Sequence, residues 1–107
     1  MNQISPMELQ KRLNEPGQPA PLLLDVREPY EFAYCHIEGS LNIPMNSVPV
    51  RIGELDSEQE TVVICHHGMR SASVASYLLR HDFQRILNLS GGVDAWAILV
   101  QPDMPRY

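Results

Sequence analysis

The residues best suited to covalent chemistry sit together in Cys65-His66-His67-Gly68-Met69-Arg70-Ser71. Cys65 ends the run "TVVIC" (61–65), which is β-branched at four of its five positions, and from Arg70 to Asp82 the pattern turns helical. A strand delivering a cysteine to a helix N-terminus has chemistry available to it. Unpaired N–H groups there carry partial positive charge and favour an anion, and such surroundings bring cysteine thiols from about 8.5 into a range of roughly 3.5–7.5. Gly68 suits a tight loop that needs φ > 0 or inward-turned amides. Arg70 adds a permanent cation able to take an anionic substrate in bidentate fashion, in a place where an arginine opposes the helix dipole. His66 and His67 are further donors, and a protonated one would favour the thiolate. Together these residues describe an activated nucleophile. Two other readings stay open: a packed strand-end cysteine, or a Cys/His metal site using Cys35-His36 with Cys65-His66-His67. The spacing of the latter matches no zinc pattern.

The rest of the chain must place that loop. Ser5-Pro6-Met7-Glu8 has an N-cap serine, a proline at the first helical position and a glutamate at N3, which predicts a helix to about Asn14. "PGQPAP" (16–21) breaks it. "LLLDV" (22–26) is a continuous apolar run, as in a strand buried on both faces. A short helix and a turn at Gly39-Ser40 follow, then the brief strand "LNIP" and a helix over "NSVPVRIGEL" with proline near its start. After "TVVIC", the predicted helix puts Ala72, Ala75, Leu78 and Leu79 on its apolar face. "RILNL" (85–89) reads as a strand, "GGVDAWAIL" (91–99) as a glycine turn into a last helix, and the tail as irregular. Strands alternating with helical segments predict an α/β domain with a mostly parallel sheet. In such a sheet ligands collect at the carboxyl ends of the strands, where Cys65 lies.

Composition narrows the function classes. A chain of 107 residues is expected to form one domain, residues 1–107, with a core that needs no staples. A net charge of −5 argues against nucleic-acid and anionic-membrane partners, which require a basic surface. No apolar run reaches the ~18 residues of a membrane span, and the N-terminus reads as no signal peptide. Two cysteines, Cys35 and Cys65, make no disulfide framework, so free thiols in a reducing, cytoplasmic setting are expected.

Three stretches resemble one family. "CHHGMRS" is similar to the active-site loop of single-domain rhodanese-like sulfurtransferases, Cys-x-x-Gly-x-Arg-Ser/Thr. "LLDVREPYEFAYCHIEGSLNIP" resembles the family segment running from Asp-Val-Arg-x-x-x-Glu-Phe through His-Ile to Asn-Ile-Pro, and "NLSGGVDAW" its closing Gly-Gly-x-x-Ala-Trp signature. They follow in order from about Leu23 to Trp96. The resemblance implies a rhodanese-like three-layer domain whose mostly parallel sheet of about five strands is flanked by helices on both faces. It implies a thiosulfate sulfurtransferase in which Cys65 takes a sulfane sulfur from thiosulfate or a persulfide as Cys65–S–S⁻. That sulfur then passes to cyanide, a thiol or a partner protein, with no cofactor and no metal. The amides of His66, His67, Gly68, Met69, Arg70 and Ser71 would cradle the outer sulfur, and Arg70 would orient the anionic donor.

Asp25 and Arg27, at the end of the neighbouring strand, are expected to hold the loop rather than react. His36 reads as structural, and Gly91, Gly92 and Trp96 as shaping and packing the last turn. Cys35 stands where the family usually has glycine; it is a tolerated small residue or a resolving thiol for Cys65. Two rivals are a cysteine phosphatase, whose loop needs five residues between cysteine and arginine where this one has only His66 to Met69, and a regulatory or docking module, which generally lacks the cysteine retained here. Without an obvious exposed apolar stripe, a monomer is compatible with the sequence.

Overall fold

In the computed structural model, which describes residues 2–107, five strands form one sheet in the order β1-β5-β4-β2-β3, every pairing parallel. The strands are β1 (Asn2–Ile4), β2 (Leu22–Asp25), β3 (Leu41–Asn42), β4 (Thr61–Ile64) and β5 (Ile86–Leu89). The helices are α1 (Pro6–Asn14), α2 (Pro29–Tyr34), α3 (Val48–Arg51), α4 (Met69–Arg80) and α5 (Gly92–Leu99). The mostly parallel sheet read from the sequence is thus wholly parallel.

The apolar strands β2 and β4 divide their side chains between two cores, because successive residues of a strand point to opposite faces. Leu23, Val62 and Ile64 join Leu9 of α1 and Val93, Trp96 and Ala97 of α5 on one side. Leu24, Val63 and Cys65 join Val48 of α3 and Val74, Ala75 and Leu78 of α4 on the other. Each fully buried aliphatic side chain contributes about 1.5–3 kcal/mol, so neither face can be stripped without loss of the sheet. The register sets Asp25 beside Ile64, and the carboxyl ends of β2 and β4 finish level. That alignment brings the Asp25–Arg27 and Cys65–Ser71 segments to one edge.

Local expectations hold where a cap defines the element. The Ser5 Oγ accepts from the Glu8 N–H at 3.1 Å and the Glu8 carboxylate accepts from the Ser5 N–H at 3.0 Å, closing the capping box of α1. Three readings are corrected. The strand β1 was not expected, since "NQI" carries no apolar run; it forms by pairing on the free edge of β5, with only Ile4 buried. The helix over "NSVPVRIGEL" is reduced to α3 flanked by 3₁₀ turns at Met45–Ser47 and Ile52–Glu54, because Pro49 and Gly53 leave little uninterrupted helical backbone. The buried face of α4 is Ser71, Val74, Ala75 and Leu78, while Leu79 is exposed and Ala72 only half-buried. An apolar count could not place Ser71 on the sheet side, and this rotation of the helix puts its hydroxyl against Cys65.

Candidate active site

Cys65 follows the last residue of β4 and is only 1% exposed. Gly68, at φ 109°, caps α4 in the left-handed region, where a side chain is strained. That conformation aims the Gly68 N–H at the Cys65 Sγ, 3.0 Å away. The first α-helical bond on this turn runs from the Ala72 N–H to the Gly68 carbonyl. The N–H groups of Met69, Arg70 and Ser71 therefore precede it without intrahelical acceptors, and the positive end of α4 faces the sulfur. The Ser71 Oγ stands 3.3 Å from Sγ and also contacts the Asn88 Oδ1. Its single proton serves one of the two acceptors at a time, so a charged sulfur can recruit it. Asn88, buried within β5, also donates from Nδ2 to the Gly68 carbonyl at 3.2 Å, tying the loop to the sheet.

A second clamp comes from α5. The Val93 N–H donates to the Cys65 carbonyl at 2.9 Å and the Asp94 N–H to the His66 carbonyl at 3.1 Å. The Gly92 backbone lies so close that a Cβ there would fall 2.3 Å from the His66 carbonyl oxygen and 2.4 Å from that of Cys65. The glycine turn before α5 thus shapes the cysteine loop itself, beyond the packing role expected of it. Trp96 is buried in the core, as expected.

Asp25 and Arg27 form a fully buried ion pair, 2.7 Å between the Asp25 Oδ2 and the Arg27 Nη2. Burial disfavours the Arg27 cation, but the hydrogen bonds to Asp25 and Tyr107 outweigh it and hold the arginine charged. The hold of this pair on the cysteine loop, expected from the sequence, is indirect. Arg27 donates to the carbonyls of Glu31 and Cys35 and to the Tyr107 hydroxyl, and so secures α2 and its exit. The link to the loop passes through Glu31, whose oxygens accept from the Arg70 Nη1 at 2.7 Å and Nη2 at 3.0 Å. Arg70 is therefore a paired cation at the rim, part-exposed and with N–H groups beyond the two that Glu31 engages.

The side chains of His66 and His67 divide as follows. His67 is exposed and 4.0 Å from Asp94. His66 stacks on the Tyr107 ring at 4.0 Å, and its Nε2 is buried without a partner. Burial, then the neighbouring His67, pushes the His66 pKa down, which favours the uncharged ring near neutral pH. Met69 is exposed at the helix start, contributing backbone only. His36 stacks on Phe32 and bonds the Phe32 carbonyl, a structural role as expected. Cys35 and Cys65 are unbonded and belong to different cores, which leaves the resolving-thiol idea without support.

Sequence reasoning assigned no role to Glu31, Asn88 or Tyr107. An asparagine inside an otherwise apolar strand was a usable signal for Asn88; Tyr107, in an irregular tail, offered none. The Arg70 hydrogen bonds, ahead of the opposing effect of burial, draw the Glu31 pKa down from 4.5 to about 2. A carboxyl depressed on folding stabilises the protein above its unfolded value, and that stabilisation fades as acid protonates it. Wild type is therefore expected to lose stability between pH 4.5 and about 2 more steeply than Glu31→Gln, by on the order of 2 kcal/mol after allowing for the partial exposure of Arg70. Urea melts of both proteins across that window check this, and parallel curves would contradict it.

A parallel sheet that delivers a buried cysteine into a compact amide loop at a helix N-terminus defines a rhodanese-like domain, and the chain belongs to that family. The Rhodanese-like domain model matches residues 5–99. A protein of Allochromatium vinosum named "Sulfurtransferase" is 36% identical over 97 residues, covering 91% of this chain and 89% of the relative. A "Thiosulfate sulfurtransferase GlpE" of Stutzerimonas stutzeri is 36% identical over 75 residues, 70% of this chain and 69% of that protein. Among solved structures, a rhodanese-like domain protein from Staphylococcus aureus superposes with a TM-score of 0.83 at 31% identity, over 90% of this chain and 91% of that one. These relatives support rhodanese-type sulfur transfer. No helix among the described residues is long and apolar enough to cross a membrane.

Proposed function

We propose that this chain is a sulfurtransferase carrying one sulfane sulfur on Cys65, taken from thiosulfate or a persulfide and given to a nucleophilic acceptor. The observation that carries the reading is the Gly68 N–H on the Cys65 Sγ at 3.0 Å, at the first turn of α4. With thiosulfate as donor, the Cys65 thiolate attacks the outer sulfur. A new S–S bond forms, the old one breaks, and sulfite leaves with the bonding pair. The product Cys65–S–S⁻ keeps its negative charge within the loop, where the amides of His66 to Ser71 and the Ser71 hydroxyl are preorganised to hold it. An acceptor (cyanide, a thiol or a partner protein's cysteine) then attacks that sulfur and Cys65 leaves as thiolate. Two displacements replace one harder transfer. A thiol so thoroughly buried admits the end of a slim donor, which fits the movement of a single atom.

Intact mass after incubation with thiosulfate tests the reading. The expected result is a gain of one sulfur atom, removed by cyanide with release of thiocyanate. No adduct, together with hydrolysis of a phosphate ester, would replace this reading with the phosphatase one.

The pairing of Arg70 with Glu31 gives a two-sided prediction. A charge-assisted hydrogen bond is worth about 1.5–3 kcal/mol, so Arg70→Ala is expected to raise the KM for thiosulfate roughly tenfold or more. Glu31→Gln leaves the guanidinium's charge uncompensated and is expected to lower it. Steady-state thiocyanate assays on both variants decide; movement of both in the same direction would remove Arg70 from donor binding.

A further inference from the structure

Beside the Glu31–Arg70 pair lies a cavity of about 270 Å³ lined by Tyr30, Glu31, Tyr34 and Tyr107, which the transfer steps above leave without a use. Tyr30 is 76% and Tyr34 55% exposed, and the Tyr34 ring meets that of Tyr107 edge to face, centroids 5.8 Å apart. Glu31 is the one charged residue in the lining, and its oxygens are engaged by Arg70 and by the Tyr107 hydroxyl at 2.8 Å. Burial pushes the Tyr107 pKa up to about 12, so its hydroxyl keeps its proton near neutral pH. The cavity thus offers ring surface and no unpaired charge. Two of its lining residues touch the cysteine loop: Glu31 grips Arg70, and Tyr107 stacks on His66, the residue after Cys65.

We infer that this cavity is a subsite for the organic group of the sulfur acceptor, and that its preferred acceptors are small thiols bearing an aromatic or apolar substituent. The inference rests on the sulfur-transfer reading above. With Cys65 1% exposed, only the reacting atom of an acceptor reaches the loop, and the rest of the molecule lies against the adjoining surface. The outer sulfur of the persulfide projects only one S–S bond, about 2.05 Å, beyond Sγ. The volume falls near the lower end of small-molecule sites, roughly 300–1,000 Å³, which suits a single ring and excludes a folded peptide. A small anion such as cyanide gains nothing from tyrosine faces; an aryl group stacks on them and leaves water. In the step itself the acceptor thiol attacks the outer sulfur of Cys65–S–S⁻ and its proton passes to that sulfur. The R–S–SH bond forms, the bond to Cys65 breaks, and its electron pair returns to the Cys65 thiolate.

The test uses the full chain, loaded with thiosulfate and discharged by phenylmethanethiol or by 2-mercaptoethanol, with the persulfide followed by intact mass. Half-maximal discharge is expected at a concentration at least about tenfold lower for phenylmethanethiol. Tyr34→Ala, and Tyr30→Ala as an independent change on the same wall, should shrink that preference to within about threefold of none. Equal concentrations in wild type, or a preference that survives both substitutions, would overturn the subsite. Phenylmethanol, which cannot accept sulfur, separates the two readings. Its titration should shift the NMR ring signals of Tyr30, Tyr34 and Tyr107, and no shift at these residues would also overturn the subsite. A protein that never loads sulfur but shows those shifts would lose the sulfur-transfer reading and keep the aryl site.

Discussion

Cys65→Ser is expected to leave the protein folded and unable to take up sulfur. A serine hydroxyl stays protonated near neutral pH, and the imidazole next to it in the chain, that of His66, is stacked on Tyr107 with Nε2 enclosed rather than bonded to this side chain. Nor can an oxygen at this position hold a sulfane sulfur as a cysteine does. Thiocyanate production should fall by at least about 10³-fold and the one-sulfur mass gain should vanish. Stability should change little, because the hydroxyl inherits the Gly68 N–H and the Ser71 contact as partners. Exchanging one satisfied buried group for another costs about 1 kcal/mol or less. Turnover retained in this variant, with a normal melt, would remove Cys65 from the chemistry.

Gly92→Ala carries the largest expected structural effect. Its methyl group would lie 2.3 Å from the His66 carbonyl oxygen and 2.4 Å from that of Cys65, both rigid backbone atoms. The position also has φ +63°, where an L side chain costs roughly 1–2 kcal/mol. Overpacking adds about 1–3 kcal/mol. Relief requires α5 to back away, which breaks the bonds from the Val93 and Asp94 N–H groups to the Cys65 and His66 carbonyls. A loss of about 3 kcal/mol or more is expected, with sulfur loading slowed at least tenfold in the fraction that stays folded. Gly53→Ala is the matched control: it meets nothing within 4 Å at an ordinary φ and should be neutral. Denaturant melts and single-turnover loading compare the two. A Gly92→Ala protein as stable and as fast as wild type would mean that the α5 turn does not shape the loop.

Both predictions concern residues that the sequence singled out, and the reason is distance along the chain. Cys65, Gly68, Arg70 and Ser71 lie within one strand-to-loop-to-helix passage, so local rules of strand, turn and helix N-terminus suffice to place them. The Asp25–Arg27 pair is nearly as local, and its burial followed from the apolar run ahead of it. Glu31 grips a partner 39 positions away, Asn88 contacts Ser71 across 17, and the Tyr107 hydroxyl reaches Glu31 across 76. No periodicity in one segment encodes such meetings.

The sequence by itself determined the candidate nucleophile, the loop around it, the N-cap of α1 and the parallel α/β class, since each follows from contiguous residues and short-range backbone rules. Only the tertiary structure decided that β1 adds to the β5 edge, that α4 turns Ser71 toward the sulfur, that Arg70 is neutralised by Glu31, and that Tyr107 folds back over His66. Those outcomes depend on crossovers in a parallel sheet, which set strand ends side by side that the chain visits at widely separated points.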